Sequence, residues 1–293
     1  MTPLEFIAAH DVRHALARAR AAYTGKIDHH WFEPTWDKHL QKIADLVESG
    51  ETDLWRVVDR FRAAPLLDLR HATRNVFTQM EDWLWFGERV RMNYQLMGPM
   101  RRALINAVFF DACRDDAESV VELGAGDGMN LCEFWLTASP RQARYMAFEI
   151  ATTGRLCTEL LATLEPRMRL SAHAFDYYTP RYEAIPDRQK HMLVFSIYSI
   201  EEIRELPKAV IEDLLDKADE VSGVHFEPVG WQVPDHENPR HRAGCIERGY
   251  NENLWPLLNE LQQEGRIAID RVAADICGKV FHPTTLIQWH KVR

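Results

Sequence analysis

The sequence has no paired cysteines, no long apolar run and no excess of positive charge. Its five cysteines, Cys113, Cys132, Cys157, Cys245 and Cys277, are scattered, odd in number and without a CxxC spacing. That usage fits reduced thiols rather than a disulfide framework and points to the cytoplasm. No stretch approaches the roughly 18 apolar residues of a membrane-spanning helix. Met1-Thr2-Pro3-Leu4-Glu5 lacks a basic region followed by an apolar core, so no signal peptide is expected. Basic residues number 35 against 44 acidic ones, a net charge of -9. A surface of that sign repels phosphate backbones, so neither nucleic acid nor a membrane is an expected partner. Internal repeats and low-complexity segments are also missing.

What is present is ample core. The chain has 293 residues, 46% of them hydrophobic, enough for one large domain or two small ones. Residues 1–115 read as helical throughout. Leu4, Ile7, Ala8, Val12, Ala15 and Leu16 recur at three-to-four spacing. Thr35 is a candidate cap for a helix carrying Trp36, Leu40, Ile43 and Val47, ended by Gly50. Thr52 can open another through Leu54, Val57, Val58 and Phe61. A fourth runs through Trp83, Trp85, Val90 and Met92, is broken at Gly98-Pro99, and is followed by a fifth through Val108 and Phe109. After residue 116 the pattern alternates. Apolar runs at 118–123, 144–149, 168–174, 191–197 and 221–227, mostly separated by helical stretches, imply βα units and a parallel sheet. A helix over 246–261 and two strands at 266–275 and 284–291 close the chain. The expectation is an α/β, Rossmann-like seven-stranded sheet: five parallel strands plus a C-terminal hairpin, behind an all-helical N-terminal region. The boundary divides 1–115 from 116–293.

The most informative stretch is Val120-Val121-Glu122-Leu123-Gly124-Ala125-Gly126-Asp127-Gly128. It reads as a buried strand, a glycine turn and a helix start. Glycine has no Cβ, so such a turn can lie close against a ligand. A dinucleotide fingerprint GxGxxG would need glycine at Met129; the spacing here is GxGxG behind an acidic residue. This resembles the first motif of class I S-adenosylmethionine-dependent methyltransferases, whose Rossmann-like sheet has seven strands and ends in a hairpin. The resemblance covers roughly residues 90–293. It implies S-adenosyl-L-methionine as cofactor, held at Gly124, Ala125, Gly126 and Gly128 with Glu122 beside them. It further implies that Glu149, followed by Ile150, binds the ribose hydroxyls. Asp176 meets the adenine amino group and Phe175 lies against the ring. Tyr94 either reaches the methionine end or packs as a helix aromatic on the sheet.

Substrate chemistry belongs over the ends of the fourth and fifth parallel strands. The fourth gives Ser196-Ile197-Tyr198-Ser199-Ile200-Glu201-Glu202 and lacks the Asn/Asp-Pro-Pro-aromatic motif of enzymes that methylate nucleic-acid bases or glutamine. Ser196 and Tyr198 are candidates to line the cofactor and acceptor pockets. Glu201 or Glu202 either meets a substrate amine, acts as base, or opens the next helix. The fifth strand ends Val224-His225-Phe226-Glu227-Pro228-Val229-Gly230-Trp231. Glu227 is the first candidate for a carboxylate at the substrate, His225 a candidate base, and Trp231 an aromatic wall. The histidine-bearing stretches 28–34 and 235–242 read as loops, and no metal is expected. The function so read is methyl transfer to O or N of a small polar molecule or peptide. The alternatives are an NAD-dependent oxidoreductase and a non-catalytic S-adenosylmethionine-binding protein.

Overall fold

The computed structural model describes residues 32–67, 80–138, 140–236 and 238–292. The expected helix over residues 4–16 and most of the 28–34 loop lie outside them. Helix α1 (Phe32–Glu48) and helix α2 (Leu54–Leu67) come first. Leu40, Ile43, Ala44 and Val47 on α1, and Leu54, Val57, Val58 and Phe61 on α2, are all buried. Each set is one stripe at i, i+3, i+4 and i+7, the face a helix turns to a core.

The next segment differs from expectation. Residues read as a helix form a hairpin, β1 (Glu81–Trp85) and β2 (Glu88–Met92). Its turn at Phe86-Gly87 has positive φ at both residues, 51° and 80°, the geometry that matches strand twist. The aromatic and β-branched residues that suggested a helical core also suit a half-buried strand. The Gly98-Pro99 pair breaks nothing: α3 (Tyr94–Ala112) runs through it, capped by Asn93, whose side chain accepts from the Leu96 N–H at 3.1 Å.

The remaining elements are β3 (Ser119–Leu123), α4 (Met129–Ala138), β4 (Arg144–Glu149), α5 (Thr152–Leu164), β5 (Leu170–Ala174), β6 (Gln189–Ile197), α6 (Ala209–Leu215), β7 (Ala218–Glu227), α7 (Pro239–Arg248), α8 (Leu254–Gln263), β8 (Ile267–Lys279) and β9 (His282–Lys291). The helix expected over 246–261 is thus two helices, α7 ending at left-handed Gly249 and α8 starting after the Asn251–Asn253 turn. The sheet order is β2-β1-β8-β9-β7-β6-β3-β4-β5. Pairing is parallel from β7 through β5 and antiparallel from β7 to β2. The sheet has nine strands, not seven, because β1 pairs with β8 and adds its hairpin to that side.

Every residue of β3 is buried, as befits a central strand covered on both faces. Val120, Phe195 and Phe226 face a core built with α1–α5. Val121, Val194 and Val221 face a second core with α6 and α8. On the second face Trp289 of β9 lies across Gly223 of β7, where an added Cβ would stand 1.9 Å from Trp289 Cε2. The Trp289 ring also donates from Nε1 to His225 Nε2 at 3.0 Å. Gly223→Ala therefore drives a methyl group into an immovable ring. It is expected to lower stability by about 1–3 kcal/mol or more, read as a shift in the urea midpoint with unchanged slope.

Candidate functional site

Gly124, Gly126 and Gly128 all adopt left-handed φ, +65°, +57° and +75°. Each is also pressed by a different part of the chain. A Cβ would stand 2.4 Å from Ser199 Cβ at Gly124, 2.5 Å from the Trp36 ring at Gly126, and 2.5 Å from Thr158 Oγ1 at Gly128. The turn is tied to the neighbouring strand by Gly124 and Ala125, whose N–H groups both donate to the Phe148 carbonyl, at 2.8 and 3.0 Å.

Glu149 ends β4 and is nearly fully buried. One carboxylate oxygen accepts from Gly126 N at 2.7 Å, the other from Ala151 N at 2.8 Å. Burial raises its pKa against these two donors. A carboxylate offers about four acceptor sites, so two remain. Ile150 follows half-buried, its carbonyl held by Arg155 Nη1 at 2.6 Å. Glu122 is buried on β3; one oxygen accepts from Asn130 Nδ2 at 2.7 Å and the other, Oε2, has no partner. Burial holds its pKa well above the usual carboxylate range.

Helices α1 and α2 reach the turn, which the sequence reading did not foresee residue by residue. His39 Nδ1 lies 2.8 Å from Asp127 Oδ2, and Met129 N donates to Oδ1 at 3.0 Å. Burial opposes ionisation of Asp127, but His39, Arg62 and the Met129 N–H outweigh it and lower its pKa. Arg62 bridges Glu133 and Asn130 at 2.9 and 3.1 Å. Glu33, in the stretch read as a loop, opens α1 and caps α5. Its oxygens accept from Thr152 N at 2.6 Å and from Thr153 N at 3.0 Å, where a negative charge suits the positive helix end.

Asp176 follows β5 half-buried. It closes its own turn by accepting from Tyr178 N at 2.9 Å. Phe175 is not laid bare for a ligand ring: it is a core residue packed edge-on against Phe148 and Tyr177. Tyr177 is buried and bonded at 2.8 Å to Ser199, whose hydroxyl donates to the Leu123 carbonyl at 2.8 Å. That occupies the serine proton, so Tyr177 is the donor. Tyr94 opens α3 and is 42% exposed, its ring 6.0 Å from Trp83.

The fifth-strand candidates prove to be internal. Trp289 donates to His225 Nε2, so the ring proton sits on Nδ1, which donates to Ser196 Oγ at 3.0 Å; Ser196 donates to Glu227 Oε1 at 2.7 Å. Glu227 also accepts from the N–H groups of Ser199, Ile200 and Glu201, each at 3.2 Å. All three side chains are fully buried. His225 is withdrawn as a base: both nitrogens are engaged and burial pulls its pKa down to about 3. Glu227 and Ser196 are likewise withdrawn as pocket-lining groups. They hold the turn that follows β6.

That turn carries Tyr198, Glu201 and Glu202. Tyr198 has φ +51°, a strained conformation for a bulky residue. Its ring stacks on His282 at 5.5 Å and faces Arg101 at 5.1 Å, and its hydroxyl bonds Thr284. Burial raises its pKa to about 12. Glu201 is buried and meets His282 Nε2 at 2.5 Å. Glu202, half-buried beside it, has its pKa pushed up to about 7 by burial and by Glu201. Trp231 lies just beyond β7, with the Arg242 guanidinium 5.9 Å from its ring centre. Among the described residues no group of three His, Cys, Asp or Glu is placed to hold a metal ion, and no helix is long and apolar enough to cross a membrane.

Strand order and the β8–β9 hairpin give the described residues an α/β, Rossmann-like mixed sheet of nine strands. No family model matches the sequence, and no curated protein does. Solved structures are similar. A SAM dependent methyltransferase from Aquifex aeolicus is 15% identical, with a TM-score of 0.43 over 68% of this chain and 96% of that one. Magnesium protoporphyrin IX methyltransferase from Synechocystis PCC 6803, solved with SAH, is 10% identical, with a TM-score of 0.46 over 82% and 100%. A geranyl diphosphate methyltransferase solved with GPP and sinefungin is 7% identical, with a TM-score of 0.46 over 65% and 77%.

Glu227 makes a test of the internal network. Burial and Glu201 raise its pKa from the ordinary 4.5 to about 8, against the four donors it meets. The folded chain then keeps a proton that the unfolded chain has released. Stability from this group is complete below its ordinary pKa and declines as pH rises through its folded value. Urea unfolding across that window is expected to show a downward slope that is shallower in Glu227→Gln.

Proposed function

We propose that the chain is an S-adenosylmethionine-dependent methyltransferase acting on O or N of a small polar molecule or peptide. The observation that carries this reading is Glu149, a buried strand-end carboxylate locked to a left-handed glycine turn with two acceptor sites to spare. Two neighbouring ribose hydroxyls are the natural donors for such a group. Glu122, on the strand that leads into the turn, adds a buried, unpartnered oxygen, an acceptor for the cofactor's ammonium. Asp176 stands at the end of the next strand. These residues fit the cofactor, which supplies an activated methyl group on a sulfonium.

The chain's own part is positioning. Ser199 of the β6 turn and Trp36 of α1 pack directly on Gly124 and Gly126, so these two elements flank the glycine turn. In-line transfer needs the acceptor atom held near the methyl group with water kept out. Tyr198 and the Glu201–His282 pair, on the turn after β6 and on β9, are the groups this reading assigns to the acceptor. Glu202, with a pKa near neutrality, is the group suited to take the acceptor's proton. The contacts of α1 and α2 with the glycine turn support the reading of residues 1–115 as a cap over the cofactor. The five free cysteines, four of them buried, suit a cytoplasmic enzyme.

Calorimetric titration is expected to show S-adenosylmethionine binding by the wild-type protein. Glu149→Ala is expected to weaken it about 10- to 100-fold, the loss of charge-assisted hydrogen bonds worth ~1.5–3 kcal/mol. Binding of NADH in a fluorescence titration, with none of S-adenosylmethionine, would replace this reading by the oxidoreductase one.

A further inference from the structure

A cleft of about 800 Å³ opens at the end of the sheet opposite the glycine turn, where β4 and β5 begin. Ligand pockets run from about 300 to 1,000 Å³, so a small molecule has room here. Arg141 lines it from the loop before β4, and Arg167 and Arg169 from the turn before β5. Trp135 comes from the last turn of α4 and Trp55 from the first turn of α2.

The lining is basic on a chain whose net charge is -9. Both carboxylates that border the cleft, Asp53 and Glu165, are already engaged. Asp53 Oδ1 accepts from Arg56 N at 3.0 Å, and Glu165 takes the Arg167 guanidinium on both oxygens, from Nε at 2.7 Å and from Nη2 at 2.5 Å. Arg141 and Arg169 are held in other ways. The Arg141 guanidinium lies 4.2 Å from the Trp135 ring centre, and Arg169 Nη1 donates to the Gln142 carbonyl at 2.9 Å. Neither meets a carboxylate at ion-pair distance among the described residues, so both are positioned without being neutralised.

Helix α2 also starts at this cleft. Asp53 takes the Arg56 N–H, while no acceptor among the described residues meets Leu54 N or Trp55 N. A helix start with free amides attracts anions. Trp55 is 56% exposed, a flat apolar ring left in water on the wall of a basic cleft. Arginine forks match phosphate oxygens two at a time, and an indole face stacks on a nucleic base. Cations on two separate loops favour an anion with several charged oxygens over a single carboxylate. A long polynucleotide would set the rest of its backbone against a negative surface. A free nucleotide suits the cations and the ring together.

We propose that this cleft binds a free nucleoside di- or triphosphate, with Arg141, Arg169 and the start of α2 on the phosphates and Trp55 on the base. The site is separate from the one read for S-adenosylmethionine and does not depend on that reading. Helix α4 joins the two: it starts beside the glycine turn, and its last turn brings Trp135 to the cleft.

The test is calorimetric titration of the full chain, in the presence of excess S-adenosylhomocysteine, with ATP, GTP, pyrophosphate and adenosine. Saturable binding of a triphosphate is expected, with pyrophosphate and adenosine each about tenfold weaker or more. Arg141→Gln and Arg169→Asn are each expected to weaken the triphosphate about tenfold or more, the fold-change of a lost charge-assisted hydrogen bond. Asparagine suits the left-handed φ of 51° at residue 169, so that variant reads the guanidinium and not the turn. Trp55→Ala is expected to weaken the triphosphate about tenfold and to leave pyrophosphate unchanged. Glu149→Ala is expected to leave triphosphate binding unchanged. No saturable binding of either triphosphate, pyrophosphate binding as tightly as they do, or unchanged affinity in both arginine variants overturns the proposal. Tighter binding of a short single-stranded oligonucleotide than of the triphosphates overturns it too. S-Adenosylmethionine binding without triphosphate binding removes this cleft alone. Triphosphate binding without S-adenosylmethionine binding removes the methyltransferase reading and leaves the cleft.

Discussion

A buried carboxylate that accepts backbone N–H groups is the interaction on which the working edge of this sheet depends. Glu227 gathers three consecutive amides of the turn after β6, and the Trp289–His225–Ser196 chain holds Glu227 itself in place. Tyr198, Glu201 and Glu202 are aimed by that turn. Glu149 does the same for the glycine loop, and Glu33 for the start of α5. In each case an amide end that would otherwise need water is satisfied by a side chain from another element. The loops at the strand ends thereby become rigid without being regular.

The same principle explains why residue type was a partial guide. The glycine turn was legible because its backbone admits few sequences: three left-handed positions, each pressed by a side chain, leave glycine alone. Glu149 stood out as a strand-end carboxylate beside such a turn, but its bonds to the Gly126 and Ala151 amides had no mark in the sequence. The roles of Glu227 and His225 were not legible, since a carboxylate that binds substrate and one that caps a turn look identical in sequence. What separates them is burial and the direction of hydrogen bonds, both set by Trp289 some sixty residues further along the chain. Phe175 was misplaced for a like reason, as an aromatic at a strand end serves a core as readily as a ligand.

The β1–β2 hairpin failed to show because Trp83, Trp85, Val90 and Met92 carry apolar bulk without a decisive period. Its assignment depends on a partner, β8, almost two hundred residues away. The contribution of α1 was half legible. Its buried stripe of Leu40, Ile43 and Val47 marks the helix, whereas Trp36 and His39, which reach Gly126 and Asp127, sit on no pattern of their own. Contacts made across such distances have no local signature.

The added hairpin also changes where the sheet stops. Without it, the thirteen residues of β8 would form one rim, a long row of unsatisfied amides open to pairing with another molecule. With it, the rim among the described residues is β2, five residues of which Glu88, Arg89 and Arg91 are charged. The opposite rim, β5, is equally short. Short, charged rims discourage edge-to-edge growth. The hairpin, tied to β8 through the Phe86 and Gly87 amides, thus also guards the molecule against aggregation.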